Sequence, residues 1–171
     1  NSLAGGLVGL VSAKNILNIE NCMAMGSVST ECNSGCGGLV GGRNVNVIIE
    51  KSVALQKNSF HKKLSSYVDR IFGYSGDSTV YVSGNQNYAY QNMAGGYNGN
   101  FANKHTEHHG EGVTKAELLT TNFWENKIGW GNDSNSSWKI EADQFPSLET
   151  TNGDVIFSGD DYQITSRQPI W

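Results

Sequence analysis

Residues 5–9 read Gly-Gly-Leu-Val-Gly, the same five residues return at 37–41, and Ile71, Phe72 and Gly73 continue the series as a degenerate third copy. Leu7, Leu39 and Ile71 are thereby spaced by 32 residues each time. A second landmark follows each copy: IENCMAM at 19–25, IEKSVAL at 49–55 and the weaker NYAY at 87–90, with Ala24, Ala54 and Ala89 in one column. The landmarks keep their order while the spacers vary, as in stacked repeats whose turns tolerate insertion.

The apolar pieces between Gly, Asn and Ser are short and rich in β-branched residues, which favours strands over helices. A strand that pairs with its equivalent in the next copy lies about 4.8 Å from it. The sequence therefore predicts an all-β fold, a right-handed parallel β-helix (solenoid) of about three coils with a short helix and a Trp-rich closing segment. Gly5, Gly6, Gly9, Gly37, Gly38, Gly41 and Gly73 are assigned to its turns, through positive φ or close backbone approach. In the second landmark the inward face is ambiguous between a small face (Cys22/Ser52/Asn87 and Ala24/Ala54/Ala89) and a bulky one (Met23/Val53/Tyr88 and Met25/Leu55/Tyr90), the pattern favouring the bulky face. Residues 58–70, NSFHKKLSSYVDR, are too long for a tight turn and are expected to project as a loop.

Composition agrees with a turn-rich chain. Of 171 residues, 21 are Gly and 2 are Pro, and only 16% are charged, below the roughly 25% of an average soluble domain. The length suits one core. A net charge of -4 gives no electrostatic basis for binding nucleic acid or an anionic membrane, and no apolar run reaches the roughly 18 residues of a transmembrane helix. The chain opens on Asn1 without Met or signal peptide, so it is expected to be part of a longer or processed polypeptide. Cys22, Cys32 and Cys36 allow one intrachain bridge at most, and Cys32-x3-Cys36 could close a short loop.

The GGLVG copies, each followed by a spacer and then I-x-N-C or a small-residue strand, resemble the GLUG-motif repeats of large bacterial surface proteins. These include adhesin-like proteins and the non-catalytic part of immunoglobulin A-specific metallopeptidases. The order T-x-x-E-L, F-W, I-G-W, W-x-I and F-P-S-L across 114–148 resembles the segment that closes such arrays. The resemblance implies a secreted or surface-anchored protein whose repeats carry no catalytic residues and need no cofactor. The expected partners are the neighbouring repeats or domains of the same polypeptide, a host or matrix glycan or protein and, because the first coil has no coil of its own chain beneath Leu7-Val8, end-to-end copies of itself.

The expected organisation is β-helical repeats over 1–93, then a Gly/His loop, short helix and Trp-rich closing segment of the same domain over 94–148. A β-hairpin tail or link to a following domain occupies 149–171, with strands alternating around Ser158-Gly159-Asp160-Asp161. Thr114-Lys115-Ala116-Glu117 fits a capping box, and Ala116, Leu119 and Phe123 form one apolar stripe of the helix it starts.

Candidate chemistry is sparse. Trp124, Trp130 and Trp138 suit either a sugar-stacking platform or a sealed core. His105, His108 and His109 bear imidazoles that suit a transition metal, but without HExxH spacing they are weak ligand candidates. Glu20 and Glu50 align in neighbouring copies, and paired carboxylates are the tools of glycoside hydrolysis; the third copy has no acid there. The expected function is a non-catalytic extracellular repeat module, an adhesin or structural stalk. The alternative is a carbohydrate-binding or polysaccharide-cleaving module.

Overall fold

The computed structural model describes residues 3–10, 16–30, 35–42, 47–56, 58–61, 68–73, 82–95, 109–131, 136, 138–148, 155–158 and 161–164. It divides into two compact units, Asn1–Val113 and Thr114–Trp171.

In the first unit each repeat contributes four short strands. The first repeat supplies β1 (Ala4–Gly5), β2 (Leu17–Glu20), β3 (Met23–Ala24) and β4 (Ser27–Thr30); the second supplies β5 (Cys36–Gly37), β6 (Val47–Glu50), β7 (Val53–Ala54) and β8 (Asn58–His61). The third supplies β9 (Val68–Asp69), β10 (Val82–Ser83), β11 (Tyr88–Tyr90) and β12 (Ala94–Gly95), and a further strand, β13 (Glu111–Val113), follows. Equivalent strands pair in parallel, giving sheets β1-β5-β9, β10-β6-β2, β13-β11-β7-β3 and β12-β8-β4. The registers align Leu17 with Val47, Ala24 with Ala54, and Ala54 with Ala89.

The expected right-handed parallel β-helix is corrected by this arrangement. Among the described residues, pairing is split among several small sheets of strands two to four residues long, four parallel and two antiparallel, and none of these is closed or runs on as a solenoid sheet. Sharp corners are the physical reason. Asn21, Lys51 and Gln86 occupy one corner of successive repeats and all lie in the left-handed region, with φ of 53°, 45° and 53°. A strand cannot run through such a residue, so each ends there after a few pairs.

The core also corrects the sequence reading of which face is inward. Ile19, Ala24, Leu39, Val40, Val47, Ile49, Ala54, Ile71, Phe72, Ala89 and Met93 form one apolar cluster, with Cys22 packed against it, so the small face lines this core. The bulky positions Val53, Leu55, Tyr88 and Tyr90 are buried as well. The glycines explain the choice. A Cβ on Gly6 would lie 2.9 Å from the Ala24 Cβ, and one on Gly38 would lie 2.8 Å from the Ala54 Cβ. The interior is so narrow that glycine must face alanine across it, leaving no room for a bulky row. None of the GGLVG glycines has positive φ; close backbone approach is what they provide. Leu39, Ile49 and Ile71 are fully buried, each contributing roughly 1.5–3 kcal/mol.

Residues 58–70 do not form the expected free loop. Asn58–His61 pairs with both β4 and β12, Val68–Asp69 pairs with β5, and Arg70 is buried. Residues 62–67 lie outside the described part.

The second unit begins with helix α1 (Lys115–Leu118), capped as expected: the Glu117 amide donates to Thr114 Oγ1, and the Thr114 amide donates to Glu117 Oε2 at 3.0 Å. The apolar stripe is corrected. The helix stops after one turn at Leu119; Ala116 is exposed, and Leu118 is the buried residue. Phe123 belongs to a separate π-helix, Phe123–Lys127, whose wider turn buries Phe123 and Trp124 side by side. Strands β14 (Trp138–Lys139) and β15 (Ser147–Leu148) pair antiparallel, as do β16 (Val155–Ser158) and β17 (Asp161–Ile164), the latter being the expected hairpin.

Candidate functional site

Three groups of side chains hold the chemistry of the described residues. The first is the corner ladder of the repeats. Ser52 Oγ accepts the Cys22 amide at 3.2 Å and donates to the Glu50 carbonyl at 2.8 Å. Asn87 repeats the pattern one layer on: its Oδ1 accepts the Ser52 amide at 3.2 Å, and its Nδ2 donates to the Ile49 carbonyl. Cys22 Sγ donates to the Glu20 carbonyl at 3.2 Å, and burial pushes its thiol pKa up. A thiol held protonated in this way is a poor nucleophile and a poor ligand. The ladder satisfies backbone at the left-handed corner and presents no reactive group.

Glu20 and Glu50 flank this corner and are direct register partners on β2 and β6, Glu20 exposed and Glu50 half-buried. Neighbouring parallel strands hold such carboxylates about 4.8 Å apart at the backbone.

The second group is the tryptophan stack. Trp124 is fully buried and donates from Nε1 to the Leu118 carbonyl at 2.7 Å. Trp130 stacks on Trp124 with centroids 5.3 Å apart and on Trp138 at 4.5 Å and 3°. Phe123 and Phe145 meet Trp124 edge-on at 4.8 and 6.4 Å. Trp124 and Trp130 are 0% and 2% exposed, so neither has a face open to a sugar, and Trp138, half-buried, offers the remaining indole surface. Rings in this arrangement fill a small core.

The third group was not anticipated from the sequence. Arg70 stands where the first two repeats have Gly6 and Gly38, and it is 2% exposed. Its Nε donates to the His109 carbonyl at 3.1 Å, and its Nη2 donates to the Gly110 carbonyl at 2.5 Å. Asp69 Oδ1 lies 2.9 Å from His109 Nδ1. Burial pushes the guanidinium pKa down to about 10, with Asp69 opposing the shift, so Arg70 remains charged at neutral pH. The only sequence signal was negative: the third copy breaks GGLVG by placing Asp-Arg where glycines stood.

Of the histidines considered as metal ligands, His109 lies with Nδ1 2.9 Å from Asp69 Oδ1 but without hydrogen-bond geometry, while His105 and His108 lie outside the described residues. Among the described residues no three His, Cys, Asp or Glu converge to hold a metal ion. Cys32 also lies outside them, and with it the Cys32–Cys36 pairing; Cys36 is fully buried. No helix in the described residues is long and apolar enough to cross a membrane. No protein-family model, no curated protein and no solved structure matches this chain.

Proposed function

We propose that this chain is a non-catalytic extracellular repeat module of a bacterial surface protein, acting as an adhesin or structural stalk. The observation that carries the reading is how the repeated columns are used. Gly6 and Gly38 face Ala24 and Ala54 to permit close packing, and Ser52 and Asn87 satisfy corner amides. Leu39 and Ile71 fill the core. Repetition here builds backbone geometry and apolar contact, the properties of a scaffold. The resemblance of the GGLVG copies to GLUG-motif repeats supports the same reading and supplies the surface setting.

The test is to present the whole chain to arrays of host glycans and matrix proteins and, separately, to assay sugar release from the polysaccharides it contacts. Attachment without sugar release is expected. Release of reducing ends that disappears in both Glu20→Gln and Glu50→Gln would overturn the non-catalytic reading and establish the carboxylate pair as a hydrolytic site.

A further inference from the structure

We draw no further inference here: the strongest candidate, the side-chain cluster of Asp69, Arg70 and His109 where β13 meets the third repeat, belongs to the site already described, and its arginine is bonded to carbonyls of its own chain.

Discussion

At Gly41 a side chain would run into the backbone of Ala4 in the neighbouring repeat, whereas at Gly9 it would meet only the Leu3 carbonyl at 3.2 Å. Two glycines that look equivalent in GGLVG are therefore not equivalent in space. Gly41→Val is expected to prevent the first two repeats from stacking, and Gly9→Val to lower the melting temperature by a smaller amount; equal losses would contradict the register. The corner residues carry the opposite strain. Lys51 sits at φ 45°, where a β-branched residue fits poorly, so Lys51→Val should cost about 1–2 kcal/mol in denaturant unfolding. Ser52→Ala leaves the Cys22 amide without its oxygen and should cost about 1–3 kcal/mol, while Ser52→Asn, copying the third repeat, should recover part of that loss. These corner positions were invisible in the sequence because Asn, Lys and Gln form no motif that stands out among the chain's other polar residues; their common backbone angle unites them.

Among the elements, α1 shows how a local signal survives when a periodic one fails. Thr114 and Glu117 specify a capping box by themselves, and both of its bonds form. The stripe Ala116/Leu119/Phe123 assumed a helix two turns long, but the chain leaves the α conformation at Leu119 and resumes as a π-helix, which changes the burial period. The Thr114 backbone and hydroxyl, with Lys127 adding less, hold the Glu117 carboxyl below its ordinary value of 4.5. Folding therefore favours the ionised form. Its contribution is present in full above the ordinary carboxylate range and is lost as pH falls through the lowered value. Glu117 is largely exposed, so the effect is small and local. The protection of the Leu118 amide, which donates to the Thr114 carbonyl, measured against its intrinsic exchange rate at each pH, should fall on acidification in the wild type and show a flatter pH response in Glu117→Gln. An unchanged profile would mean that the cap does not hold the turn.

For the whole molecule, what the sequence made legible was the repeat: its period placed Ala24, Ala54 and Ala89 in one column and Glu20 beside Glu50, and the registers agree. What it concealed was the size of the interior and how the stack ends. Interior width depends on glycine facing alanine across the unit, a long-range relation that no window of sequence contains. The ending depends on Arg70 meeting carbonyls about forty residues ahead.

The open first repeat gives the last prediction. Leu7, Leu10 and Ile16 are 44%, 56% and 56% exposed, and the four strands of that repeat each present one unpaired edge among the described residues. Exposed apolar side chains beside free backbone donors and acceptors favour pairing with another chain. The isolated chain is therefore expected to associate through this edge at high concentration. Leu7→Lys together with Ile16→Lys should place charge on that edge and abolish the expected concentration dependence in sedimentation, with a modest loss of stability since the two residues are 44% and 56% exposed. The Leu7 and Val8 amides, bonded to the Leu39 carbonyl from one side only, should exchange faster than the Leu39 amide in the interior of the stack. Equal protection at Leu7 and Leu39 in dilute solution would show that the first repeat is covered from within its own chain, and that its exposed leucines are not an assembly edge.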